Sequence, residues 1–66
     1  MPKVEVLFVG GNLVEYEVWP GYGSEAIPGV GIYDNGGVLV FRKVRNHLEG
    51  LYWAASEVKM VRSIHD

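Results

Sequence analysis

Cysteine is absent from the 66 residues and histidine occurs twice, which excludes disulfides and thiolate metal centres and leaves a structural zinc without its usual ligands. Long apolar runs are missing too. No stretch approaches the roughly 18 residues of a membrane-crossing helix, and no apolar segment of the kind a secretory signal carries follows Met1-Pro2-Lys3-Val4-Glu5. The expectation is a cytoplasmic protein with no membrane partner. Cations are in the minority: six Lys and Arg against eight Asp and Glu give a net charge of −2. That is the reverse of the basic excess through which proteins hold phosphate backbones non-specifically. No helical apolar period is sustained and no segment repeats.

What remains, at 48% hydrophobic and 21% charged, is the composition of a folded domain, read as one small β domain spanning residues 1–66. A compact chain of this length buries only about 60% of the surface its unfolded form exposes, so help from a partner is expected.

The apolar residues alternate with a period of two. Lys3–Val9 and Leu13–Trp19 read as strands around Gly10-Gly11-Asn12. A three-residue loop there sets Phe8 against Val14, Val6 against Tyr16 and Val4 against Val18, whereas two-residue loops set apolar residues against glutamates. The same register puts Glu5 opposite Glu17, tolerable where that face is wet or meets a cation. Pro20–Gly29 reads as a loop. Val30–Tyr33 and Val38–Arg45 flank Asp34-Asn35-Gly36-Gly37, where Asn-Gly predicts a type I′ turn pairing Ile32 with Leu39 and Val30 with Phe41. Asn46–Glu49 reads as a polar connection, Leu51–Trp53 as a short strand, Ala54–Glu57 as a 3₁₀ turn and Val58–Arg62 as the last strand, with Ser63–Asp66 fraying.

The segment Gly50-Leu51-Tyr52-Trp53-Ala54-Ala55-Ser56-Glu57-Val58 resembles the end of an SH3-type barrel, where Gly-Leu-aromatic leads through a 3₁₀ turn into a valine-led final strand. Trp53 is an insertion relative to that pattern, alanine replaces the usual proline, Glu57 stands where a tyrosine is usual, and the family's N-terminal Ala-Leu-Tyr-Asp-Tyr pattern is absent. These departures remove the ligand-binding aromatics. The resemblance therefore implies the barrel shape and not proline-rich peptide recognition. The expected fold is all-β, a small antiparallel meander of six short strands and one 3₁₀ turn closing into a partly open SH3-like barrel. The plan also resembles short β proteins of bacteria and their phages.

No constellation for chemistry emerges. Ser24, Ser56 and Ser63 lack the strand-to-helix elbow that exposes a nucleophile, and His47 and His65 fall in a turn and at the chain end. The glycines of Gly21-Tyr22-Gly23-Ser24 and Gly29-Val30-Gly31 precede no helix whose amides would face a phosphate. Glu15 and Glu17 share a strand face about 7 Å apart, with nothing apolar beside them to prepare one for acid catalysis. No cofactor or metal is expected.

Two surfaces stand out instead. With Val4, Val6, Phe8, Val14, Tyr16, Val18, Val30, Ile32, Leu39 and Phe41 as the interior, the reverse side still carries Leu7, Val9, Leu13, Trp19, Tyr33, Val38 and Val40. A half-solvated sheet is polar there. These seven residues are the candidate partner face, for another protein or a second copy as a homo-dimer, unless they fold back within one barrel. The second surface is Arg42, Lys43 and Arg45 with Tyr52 and Trp53, cations beside aromatics in the manner of single-strand nucleic-acid sites. Its alternative reading is a strand end kept soluble by charge. The leading expectation is a non-enzymatic, self-associating interaction or accessory module, with nucleic-acid binding as the alternative.

Overall fold

Period-two patterning becomes six strands in the computed structural model, which describes residues 2–64: β1 (Lys3–Phe8), β2 (Leu13–Glu17), β3 (Val30–Ile32), β4 (Val38–Val44), β5 (His47–Trp53) and β6 (Val58–Ile64). A 3₁₀ turn, Ala55–Glu57, precedes β6. His65 and Asp66, which include one candidate base and the end of the expected tail, lie outside the described residues. Every strand pairing is antiparallel. The strands form two sheets, β2-β1-β6 and β3-β4-β5, so the last strand returns to lie beside the first.

Six valines fill the space between the sheets. Val4, Val6 and Val18 come from the first sheet and its extension, Val30, Val38 and Val40 from the second, and none is more than 4% exposed. Phe8, Tyr16, Ile27, Leu51, Trp53, Val58 and Val61 pack around them, each only partly buried. The hand-over between sheets occurs just past β2, where Val18 bridges to Arg42 and the Trp19 N–H donates to the Phe41 carbonyl at 3.0 Å.

The first hairpin keeps its expected loop length but shifts along the chain. Val9, Gly10 and Gly11 form the loop, closed by the Phe8 N–H donating to the Asn12 carbonyl at 2.8 Å. Val6 therefore opposes Val14, Val4 opposes Tyr16 and Glu5 opposes Glu15, two residues away from the expected partners. The reason is backbone conformation: this register places both residues of positive φ at glycine, Gly10 at 105° and Gly11 at 98°, where no Cβ penalty applies. The faces survive because a two-residue shift preserves alternation. On the wet face Lys3 now opposes Glu17, and Glu5 receives Arg62 of β6 at 2.6 Å.

The second hairpin corrects the expectation of a type I′ turn. Val30 opposes Val40, Gly31 opposes Leu39 and Ile32 opposes Val38, a slip of one residue. Asp34, Asn35 and Gly36 form a three-residue loop, with the Tyr33 N–H bonded to the Gly37 carbonyl and the Gly36 N–H to the Tyr33 carbonyl. Only Gly36 takes positive φ, at 86°. The Asn35 side chain instead caps the turn, accepting from the Gly37 N–H at 2.8 Å, the short-range bonding that makes Asn a turn former. The slip exchanges the faces of β4. Val38 and Val40, expected on the reverse side, are core at 4% and 0% exposure, and Leu39 and Phe41, expected inside, face outward.

A third hairpin lies where a polar connection was expected. β4 turns directly into β5 through Arg45 and Asn46, Val44 opposing His47. Arg45 has φ 58°, and positive φ at the first of two loop residues is the type II′ pattern, normally served by glycine. Replacing Arg45 by glycine removes a left-handed penalty of about 1–2 kcal/mol per residue and adds back about 0.4–1 kcal/mol of unfolded-state entropy. Arg45→Gly is therefore expected to raise stability by about 0.5 kcal/mol, read as a higher urea midpoint at unchanged m.

Gly29 gives the opposite expectation. Its φ is 86°, and a Cβ there would overlap the Cβ and Cγ2 of buried Val18. Gly29→Ala combines left-handed strain with overpacking, each costing about 1–3 kcal/mol. Since a chain of this length has roughly 3–10 kcal/mol in total, the variant should be largely unfolded by circular dichroism at 25 °C.

Candidate functional site

The slip in the second hairpin builds the most unusual surface of the molecule. With Val30, Val38 and Val40 inward, strand alternation sends Gly31, Leu39, Phe41, Lys43, Leu48, Gly50 and Tyr52 to the outer face of the second sheet. Loop residues complete it. Tyr22 stacks on Phe41 with ring centroids 5.4 Å apart and planes 25° from parallel, and Tyr33 meets Tyr52 edge-on at 5.5 Å. Trp19 lies over the end of the sheet, its Nε1–H donating to the His47 carbonyl at 3.2 Å and its ring 4.6 Å from Lys43 Nζ.

The loop Pro20–Gly29 is braced rather than loose. The Gly29 N–H bonds to the Tyr22 carbonyl and the Ser24 N–H to the Val30 carbonyl, each at 2.8 Å. The Ser24 hydroxyl accepts from the Ile27 N–H at 3.1 Å, which fixes Ile27 against the core. The loop so held frames an open hollow of about 190 Å³ with Gly23, Gly31, Ile32, Tyr33, Leu39 and Phe41 as its walls. That is below the ~300–1,000 Å³ of small-molecule sites. It suits one apolar side chain of a macromolecular partner better than a substrate.

The hollow contains no serine, histidine or carboxylate. Of the candidate nucleophiles, Ser24 has its hydroxyl committed to Ile27, Ser56 lies exposed in the 3₁₀ turn and Ser63 sits in β6 opposite Val4. His47 opens β5 on the surface. Among the described residues no group of three or more histidines and carboxylates is placed to hold a metal ion. No helix of the described residues is long and apolar enough to cross a membrane.

The seven residues expected to form one partner face separate into three places. Leu7 and Leu13 oppose each other on the outer face of the first sheet, with Met60 next to Leu7 on β6 and Val9 at the adjoining turn. Trp19 and Tyr33 belong to the outer face of the second sheet. Val38 and Val40 are interior, so their membership of an exposed face is corrected by the one-residue slip.

The five residues expected to meet nucleic acid also divide, because consecutive strand residues point to opposite faces. Lys43 and Tyr52 are on the outer face of the second sheet. Arg42 is on the inner side of β4 at the open end of the core, bonded to Glu49 Oε1 at 3.2 Å and 5.7 Å from the Tyr16 ring centroid. Trp53 also points inward, edge-on to Phe8 at 5.0 Å and 5.7 Å from Tyr16. Arg45 stands alone at the turn. Leu39, Phe41 and Tyr22 are the site residues that sequence reasoning missed. The legible signal for the first two was Gly36, which permits a three-residue loop with its last position left-handed. For Tyr22 no pattern was available, since its place depends on how the loop folds.

Comparison with family models, curated proteins and solved structures finds no match to this chain.

The hollow can be tested without knowing its occupant. A Cβ at Gly31 would lie 3.7 Å from Phe41 Cε2, an ordinary contact, so Gly31→Ala should fold normally. It should gain about 0.5–1 kcal/mol from the loss of strand glycine while shrinking the hollow, and fluorescence of an apolar dye bound to the folded protein should fall relative to the parent.

Proposed function

We propose that the chain is a non-enzymatic protein-interaction module that acts through the outer face of β3-β4-β5 and associates with copies of itself. The observation that carries the reading is the aromatic surface of that face. Tyr22, Tyr33 and Tyr52 are each about half exposed on a sheet already supplied with Leu39 and Phe41. Aromatic side chains of this kind are enriched in protein interfaces, and leaving such a surface wet forgoes about 25 cal/mol for each Å² it would bury. A chain whose fully buried side chains are all valine has little other apolar burial with which to stabilise itself.

A cytoplasmic accessory role in a larger assembly, bacterial or phage, belongs to the same reading. So does a partly open SH3-like barrel. Its support is the 3₁₀ turn leading straight into β6, the return of β6 to β1, and the bridge from Val18 to Arg42 that ties the two sheets together at one corner. Single-strand nucleic-acid binding is less well supported, since Arg42 is engaged by Glu49 and Trp53 faces inward.

The reading is tested by sedimentation of the pure protein between roughly 10 and 500 μM, a range that reaches interfaces of modest size. The weight-average mass should rise above the 7.3 kDa of one chain, and the thermal midpoint should climb with concentration because association is linked to folding. A 7.3 kDa monomer throughout, with a midpoint indifferent to concentration, would overturn self-association.

A further inference from the structure

The four sheet edges are not equally protected. β3 is three residues long, and the Pro20–Gly29 loop bonds to Val30 on its flank. β2 carries Glu15 and Glu17, and β6 carries Lys59 and Arg62, with Lys59 the extra residue of an irregularity opposite Leu7 and Phe8. Short strands, charges and bulges are the ordinary devices that stop one edge from pairing with another. β5 has little of this. It runs seven residues, His47–Trp53, with no proline or lysine, and its one carboxylate, Glu49, is paired with Arg42 of its own sheet.

The direction of the free backbone groups on β5 follows from the ladder. Tyr33 bonds to Gly37, and the Phe41 N–H donates to the Gly29 carbonyl, so the odd residues of β4 turn their backbone groups toward the β3 side. The even residues of β4 therefore turn theirs toward β5, where they meet His47, Glu49, Leu51 and Trp53. By alternation the N–H and C=O groups of Leu48, Gly50 and Tyr52 point to the open edge. None of them has a backbone or side-chain partner among the described residues.

We infer that two copies of the chain pair antiparallel along β5, with the two-fold axis at Gly50, resting on the self-association proposed above. This register is selected by the outward groups. With Gly50 opposite Gly50, Leu48 of one copy opposes Tyr52 of the other on both sides of the axis, and every outward N–H and C=O of the three residues finds a partner. A register centred on Glu49 sets like charges face to face, and one centred on Leu51 leaves Leu48 unpaired. Side chains agree with backbone. Leu48 and Tyr52 are 48% and 51% exposed on the same outer face, so the pairing joins an aliphatic to an aromatic residue at each end, while glycine at the centre leaves room for close approach. The product is one continuous sheet, β3-β4-β5 followed by its symmetry mate, in which the two aromatic outer faces lie side by side. The contact is isologous and closes on itself.

Amide hydrogen exchange at low and high protein concentration tests the pairing. The amides of Leu48, Gly50 and Tyr52 should exchange freely at low concentration and become protected, at least about tenfold, as the dimer forms, while those of Glu49 and Leu51 are protected throughout. Gly50→Pro removes an outward donor and no β4 bond, and should abolish the dimer while circular dichroism stays native. Leu48→Lys, a charge on an exposed strand position, serves the same end should proline disturb the strand. Dimers that sediment normally while the three amides still exchange freely would overturn the edge pairing and leave self-association standing. A monomer at every concentration would overturn both.

Discussion

The thickness of the interior governs the rest of the fold, because the residues that meet at its centre are all valine. Three from the first sheet and its extension face three from the second. Valine fits a strand on both counts that matter, a stiff β-branched side chain that suits the pleat and a small volume that lets two sheets approach. With valine at its centre, the core takes its larger side chains at the periphery. Phe8, Tyr16 and Trp53 are therefore displaced to one margin, where they pack edge-on or tilted against one another, and Tyr22, Tyr33, Phe41 and Tyr52 are left outside altogether. The aromatic surface of the second sheet is the complement of the valine interior: on β4, the alternation that puts Val38 and Val40 inside puts Leu39 and Phe41 out.

The two sheets treat their outer faces differently. On the first, Glu15, Glu5 and Arg62 form a row across β2, β1 and β6, and Glu17, Lys3 and Ile64 form the next. Glu5 is the instructive residue, since its neighbour on β2 is another glutamate and only Arg62 offsets the repulsion. That pair is exposed on the arginine side, so its net worth stays within about 1 kcal/mol. Its larger role is to make the face wet and to oppose a register slip that would set Glu5 beside an apolar residue. The second sheet has no such rows. Among the described residues its one outer-face cation, Lys43, lies over Trp19 instead of meeting a carboxylate.

The all-β class, the number of strands and the 3₁₀ turn were legible because they depend on alternation and on glycine, which are local. The first hairpin was legible in its loop length and faces for the same reason, since Glu15 and Glu17 made wrong faces costly and so distinguished the registers. Nothing comparable exists in the second hairpin. Val38, Leu39, Val40 and Phe41 are apolar on both faces, so either register joins apolar to apolar, and Asn-Gly alone pointed to the wrong turn. What distinguishes the registers is which side chains pack between the sheets: Val38 and Val40 are buried there, and Leu39 and Phe41 lie on the outer face. That is a tertiary criterion, invisible to a pairwise reading. Only Leu51–Trp53 of β5 was legible as a strand, for another reason. Its first half, His47-Leu48-Glu49-Gly50, is exposed and has no alternation to display, and its turn uses Arg45, not glycine, at positive φ.

The candidate site inherits these differences. A basic cluster in sequence, Arg42-Lys43-Val44-Arg45, is not one in space, because a strand sends neighbours to opposite faces and a turn sends the last away from both. The same alternation gathers residues remote in sequence, Tyr22, Tyr33, Phe41 and Tyr52, onto one surface. Charge reinforces the division. The carboxylates that keep the first sheet solvated stand on β1 and β2, whereas Glu49 on the second is held by Arg42 at the inner margin and contributes no net charge to the outer face. The second sheet thus has neither charged rows on its face nor an unpaired charge pattern along its β5 edge, whereas the first has charges on both edges and two charge-bearing rows on its face beside the apolar row of Leu13, Leu7 and Met60. The proposed interaction through the second sheet rests on that asymmetry, with the first sheet completing the valine core against which the second packs.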